Sequence, residues 1–270
     1  MRETLRFDDL APYLLLRNGN YLYKVPYRDG FAVVKVYYGS RSRLSTWVKS
    51  FENVAFAGQT AYFPKTRLRI ERECLALWRQ HGFRVYGTYD DVEIAAPNCP
   101  PGGYTVFEYR TGPKLYEVLR DASQGVEQRL AVYRRFLAEW GRRHELAIAL
   151  REPRLVHENG DGKHVLVFDD ELLWFDFEMI WRSRSNVPDQ VSHEIIQYLW
   201  FLSKSVPERE LRLLEETAAG YPKTDRLRAA CAYFLDGPRR ALDRNLRSRA
   251  RRPTSKYAVA RRLRAVLDGA

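Results

Sequence analysis

Lys35 stands inside an apolar run, Phe31-Ala32-Val33-Val34-Lys35-Val36-Tyr37. An ammonium there either snorkels to a strand edge or meets a buried carboxylate or phosphate. Glu71 and Glu73 open the next helical stretch, where either could answer it or simply face solvent. A third group is the segment from Arg154 to Val167, where His157, Asn159, Asp161 and His164 are set around Gly160 and Gly162 on a loop that runs straight into a strand. A second short strand then ends in Phe175-Asp176-Phe177-Glu178. A carboxylate leaving a strand between two bulky aromatics usually answers a cation. A divalent metal carrying phosphates suits its oxygens, and a hairpin with capping acids is the plainer alternative.

The elements that must hold these groups change character along the chain. Residues 21–25 and 31–37 read as two strands around the turn Arg28-Asp29-Gly30, a strong hairpin signal. Trp47, Val48, Phe51 and Val54 suggest an amphipathic turn or two, followed by a loop to Pro64. Ile70, Cys74, Leu75, Leu77 and Trp78 predict a helix over 66–81 that Gly82 stops. Strands follow at 83–86, 92–95 and 104–109, and the Thr111-Gly112-Pro113 break marks a lobe boundary. Beyond it, helices are expected at 114–121, 126–150, 189–205, 207–220 and 223–236, with a hairpin of strands 165–168 and 172–175 embedded among them. Strands first and helices afterwards argue α+β. The corresponding division is 1–109, a strand-rich part with one helix, 110–250, a helical part carrying the loop and hairpin, and 251–270, a basic tail helix.

The chain has 270 residues, 45% of them hydrophobic and 13% aromatic, enough to bury a core in each of two lobes. Its formal charge of +11 predicts anionic partners: nucleotide, acidic lipid, phosphorylated glycan or nucleic acid. Three scattered cysteines without CxxC spacing argue against a disulfide framework or zinc site, and suit a reducing cytoplasm. No HExxH or Gly-x-Ser-x-Gly motif occurs, so zinc-hydrolase and serine-nucleophile chemistry have no anchor. No long apolar run predicts a signal peptide or membrane span. His81, His144 and His193 read as structural or solvated. The arginine-rich tail could be a solubilising face or could lie on an anionic membrane, with nucleic acid the less favoured use because no recognised motif accompanies it.

On these residues the chain resembles the protein-kinase-like superfamily, and most of all the bacterial lipopolysaccharide-core sugar kinases of the heptose and Kdo type. The resemblance implies a bilobal α+β fold with a small β-rich N-lobe and a helical C-lobe. It also implies ATP and Mg2+ as cofactors and a sugar hydroxyl of an anionic glycan or glycolipid as acceptor. Val33-Val34-Lys35-Val36 matches the strand whose lysine grips phosphate, and Glu71, with Glu73 in reserve, matches its helix partner. The stretch from Val106 to Gly112, with Glu108 and Tyr109, resembles the hinge that binds adenine through its backbone. His157 matches the head of the catalytic loop, His164 the second metal position and Asp176 the main metal-binding acid. The family's catalytic aspartate falls on Asn159, which cannot take up a proton as a carboxylate does. A pseudokinase, a role transferred to Asp161, or an engineered inactive variant would each account for it.

Overall fold

The computed structural model describes residues 3–38, 42–236 and 254–269. The chain forms two compact units, one of residues 1–111 with 174–182, the other of 112–173 with 183–270. The first carries the strands and two helices, the second mostly helices, which is the expected α+β segregation.

In the first unit, β2 (Leu14–Arg17), β3 (Tyr21–Tyr27), β4 (Gly30–Val36) and β6 (Tyr104–Glu108) make an antiparallel sheet in the order β2-β3-β4-β6. Strand period two puts Ala32, Val34 and Val36 into an apolar core with Leu10, Val25, Ile94 and Val106, and turns Lys35 to the other face. Lys35 is set by register opposite Leu22 and Thr105. The hairpin between β3 and β4 closes at Arg28 and Asp29, Arg28 taking the left-handed conformation at φ 51°. One pair was not expected: β1 (Glu3–Arg6) lies parallel to β5 (Val92–Ala95) as a separate two-stranded sheet. Four residues, two of them charged, give no alternation to read.

Helix α1 (Arg43–Ala55) runs 13 residues, longer than the expected turn or two, and is capped by Ser42, whose hydroxyl accepts from the Ser45 amide at 3.2 Å. Helix α2 (Pro64–Gln80) starts with proline in its first turn and ends before Gly82 at φ 74°. Residues 83–86 do not form the expected strand. Their pairing is one residue deep, Val85 against Trp174, with the Trp174 amide on the Arg84 carbonyl at 2.9 Å. The returning segment 174–182 is sewn into this unit further along by Thr60 N to Ile180 O and Arg182 N to Gly58 O, both 2.9 Å. Phe177 packs its ring 4.4 Å from that of Trp78.

The second unit contains α3 (Leu115–Arg120), α4 (Val126–Leu150), the hairpin β7 (Val165–Val167) and β8 (Leu172–Trp174), whose final residue is counted with the first unit, then α5 (Val187–Ser205), α6 (Glu210–Gly220), α7 (Thr224–Leu235) and α8 (Lys256–Gly269). Its interior is aromatic, with Phe136, Trp140, Tyr198 and Tyr221 in a chain of ring contacts. The tail helix is part of this interior. α8 packs on α5, α6 and α7, burying Ala258, Val259, Ala260 and Leu263, and Arg262 reaches Glu210 at 2.6 Å. Of the tail's apolar residues, Val259 and Leu263 are therefore spent on the core, and Tyr257 and Val266 are half-buried. Residues 237–253 and 270 of the expected tail and C-lobe lie outside the described residues. No helix among the described residues is long and apolar enough to cross a membrane.

Candidate functional site

The first unit buries a cluster of charge around Lys35, which is 7% exposed. Its Nζ lies 2.8 Å from Glu71 Oε2, 2.6 Å from Glu178 Oε1 and 3.6 Å from Asp176 Oδ1. Burial works against the ammonium, but Glu178 and Glu71 outweigh it, and Lys35 is held protonated well above its ordinary pKa. Glu71 shows the converse balance. Its burial raises the carboxyl above the usual range although Lys35 pulls it down. Tyr37, pushed well up by burial, donates its hydroxyl hydrogen to Glu71. Glu73, the reserve candidate, instead pairs with Arg69 at the surface, 2.7 Å away.

Asp176 reaches this cluster because segment 174–182 is built into the first unit rather than the helical part that its sequence position suggests. It takes φ 74°, a left-handed conformation uncommon outside glycine though tolerated by aspartate, and its side chain is 37% exposed. Backbone held in such regions concentrates at functional sites. An outward carboxylate beside a buried ammonium is a fitting oxygen ligand for a hard divalent ion that also carries phosphate. Among the described residues no group of three or more His, Cys, Asp or Glu is arranged to hold a metal ion by itself. A site of the magnesium type does not require one, since one or two carboxylates plus phosphate oxygens suffice.

The hinge candidates use their side chains structurally. Glu108 accepts from the Gly87 amide at 2.8 Å and lies 3.6 Å from Arg84, and a Cβ on Gly87 would come within 3.2 Å of its carboxyl carbon. The Lys24 ammonium lies against both Tyr109 and Phe31, 4.2 and 4.0 Å from their ring centres.

In the second unit, His157 is 2% exposed. Its amide donates to Glu194 Oε2 at 2.7 Å, and its Nδ1 pairs with the Tyr198 hydroxyl at 2.9 Å. Gly160 folds over this ring so closely that a Cβ would fall 2.5 Å from His157 and 2.7 Å from Tyr198. Asn159 is exposed. Asp161, 5% exposed, is turned into its own loop, accepting from the Lys163 amide at 2.9 Å and lying 3.2 Å from Lys163 Nζ and 3.5 Å from His164 Nδ1. The loop is thus ordered, and Asp161, the carboxylate expected to stand in for Asn159, already has partners.

The chain matches no family model and no curated protein sequence. Two solved structures are similar to it over nearly their full length. One is a pseudokinase without ligand, with 15% identity, TM-score 0.41, and coverage of 99% of this chain and 97% of that one. The other is an amicoumacin kinase in complex with AMP-PNP and Ca2+, with 14% identity, TM-score 0.40, and coverage of 97% and 90%. Both bear kinase names. The functional reading of this chain rests on the geometry of its own residues.

Several of those residues were not singled out in the sequence. Glu178 is the main one: besides Lys35 it binds Arg67 Nε at 2.7 Å and accepts from the Asn20 amide nitrogen. Arg67 in turn donates to the Gly19 carbonyl at 3.0 Å through both terminal nitrogens, tying the β2–β3 turn to α2. Period two in an extended segment puts residues 176 and 178 on one side, and spacing i, i+4 in a helix puts 67 and 71 on one face, so both signals were present. Glu194 is the counterpart in the second unit. It sits among Val187, Val191, Tyr198 and Leu202, a buried stripe at helical spacing in which a carboxylate needs a partner.

Proposed function

We propose that this chain is a nucleotide-binding phosphotransferase of the protein-kinase-like kind, using ATP and Mg2+. The observation that carries the proposal is the buried Lys35 ammonium bound to Glu71, with the half-exposed Asp176 carboxylate 3.6 Å from it. Lysine on a strand and glutamate on the following helix form the pair that such proteins use to hold nucleotide phosphates. Lys35 would neutralise phosphate oxygens while Glu71 fixes its direction. Asp176 would hold Mg2+, which supplies charge neutralisation at the transferring phosphate. The backbone at Glu108 and Tyr109 would receive the base, and the loop from His157 to Asp161 would face the acceptor. On the resemblance to lipopolysaccharide-core sugar kinases, that acceptor is a sugar hydroxyl of an anionic cell-envelope glycan or glycolipid.

A second reading, a pseudokinase that binds nucleotide or a partner without transfer, is favoured by two specific features. Asn159 has no carboxylate to offer, and Asp161 already serves Lys163 and His164. Phosphoryl transfer depends mostly on positioning and charge, so loss of a base leaves binding intact. Thermal-shift titration with ATP and Mg2+ comes first: stabilisation by the wild type that is lost in Lys35→Ala supports both readings, and none in the wild type would sink both. Transfer of labelled phosphate from ATP to a glycan extract then separates them. The pseudokinase reading expects no label with the wild type, and label appearing with Asn159→Asp would show what that position withholds.

A further inference from the structure

Among the described residues, helix α1 presents an apolar face that is left largely exposed. Leu44, Trp47, Val48 and Phe51 recur at the spacing of one helical face, and they are 74, 59, 45 and 54% exposed. Trp47 and Phe51 stack at 6.1 Å with their planes 6° apart, and Phe56, 81% exposed, extends the row edge-on to Phe51 at 5.9 Å. Scattered apolar residues on a surface are ordinary, but five adjoining ones, three of them aromatic, are not. The polar residues of this region are strongly biased in sign. Arg43 and Lys49 lie on the helix and Lys65 opens the next one, against the single acid Glu52, while Arg67 is buried on Glu178 and Arg69 is paired with Glu73. Arg182 adds to them, donating to the Val54 carbonyl at the end of the helix at 2.9 Å.

A bulky aromatic and aliphatic face bordered by cations is the design of a helix that lies in a lipid interface. The rings enter the headgroup region while the cations meet phosphate. We infer that α1 docks this protein on an anionic membrane surface, with Trp47, Phe51 and Phe56 inserted and Arg43 and its basic neighbours at the headgroups. A protein partner would suit the apolar face equally, but the excess of positive charge around it selects an anionic lipid surface. This assignment stands independently of the nucleotide reading. It gives the membrane contact to α1, whose apolar side chains are more exposed than those of the C-terminal helix.

Flotation of the full chain with vesicles tests it, comparing phosphatidylcholine alone with phosphatidylcholine plus phosphatidylglycerol. The chain is expected to float with the mixed vesicles, to release as salt rises, and to show blue-shifted emission that Trp47→Ser removes, because Trp47 is exposed whereas Trp181 and Trp200 are half-buried and Trp78, Trp140 and Trp174 fully buried. Trp47→Ser with Phe51→Ser should weaken binding by roughly ten-fold or more without lowering Tm, since both side chains are exposed. Phe56→Ser serves as an independent second variant. Absence of flotation, equal binding to neutral vesicles, or unchanged binding by both variants would overturn the inference. A concentration-dependent dimer that Trp47→Ser dissolves, without vesicle binding, would do so too and give the face to a second copy of the chain.

Discussion

The two units each bury a cluster of charge, and the two clusters are built to different ends. In the second unit, Glu194 and Arg143 are both fully buried, and every oxygen of the carboxylate is engaged: by Arg143, by Trp140 Nε1 at 3.0 Å and by the His157 amide at 2.7 Å. Arg143 also donates to the Leu155 carbonyl at 2.6 Å, so the pair clamps both ends of the stretch leading into the His157 loop. In the first unit, Lys35 and Arg67 face three carboxylates, of which Asp176 is partly exposed. A closed, balanced cluster holds shape. One with a surplus carboxylate open to solvent can exchange partners, and on the proposed nucleotide reading its Glu178 competes with a phosphate for Lys35.

The sharpest way to break this comparison is to remove one member from each cluster. Glu194→Ala should cost about 3–5 kcal/mol of stability, because it strands a buried guanidinium, and urea denaturation measures it. Next in size, Lys35→Ala should abolish stabilisation by ATP. At nucleotide a hundred times above Kd the wild type gains ~2.7 kcal/mol, and the variant should gain none. Glu178→Gln should act in the opposite direction, tightening ATP binding several-fold by calorimetry as Lys35 loses a competing carboxylate. Unchanged or weaker binding would show that Glu178 helps to build the site instead.

Acid sharpens the contrast further. Burial alone would raise the Glu194 carboxyl, but Arg143 and His144 hold it well below its ordinary value of 4.5. A depressed acid contributes stability that is full above its unfolded pKa and fades as pH falls toward the folded one. The stability gap between wild type and Glu194→Gln should therefore be constant from neutral pH down to about 5 and narrow below it. Glu71 runs the other way: its raised carboxyl favours the folded state under acid and costs stability as pH rises. Smallest of all, Asn159→Asp should shift Tm little, since the residue is exposed, so any gain in transfer would report chemistry rather than folding.

What the sequence disclosed follows the same division. Periodicity carried α2, α4, α5 and the β3–β4 hairpin, because each is long enough for its apolar positions to repeat. It could not carry β1, whose partner β5 lies far along the chain, nor residues 83–86, whose pairing depends on the return of Trp174. Lys35 and Asp176 were conspicuous because each interrupts bulky apolar neighbours. Glu178 and Arg67 were less so, since a carboxylate near a strand end and an arginine on a helix are ordinary until the chain is folded. Helix α1 was legible as amphipathic, but its spacing says nothing about which surroundings its apolar side meets.

The return of residues 174–182 to the first unit has a consequence for biosynthesis. A fragment ending at Thr111 would lack Asp176, Phe177 and Glu178, leaving Lys35 short of two counter-charges and Trp78 short of a neighbouring ring. The amino-terminal unit therefore cannot finish folding on the ribosome until the helical loop region has been synthesised and Arg182 has emerged. Order of translation and order of completion are uncoupled in this chain, and the charged cluster around Lys35 is among the last parts of its unit to close.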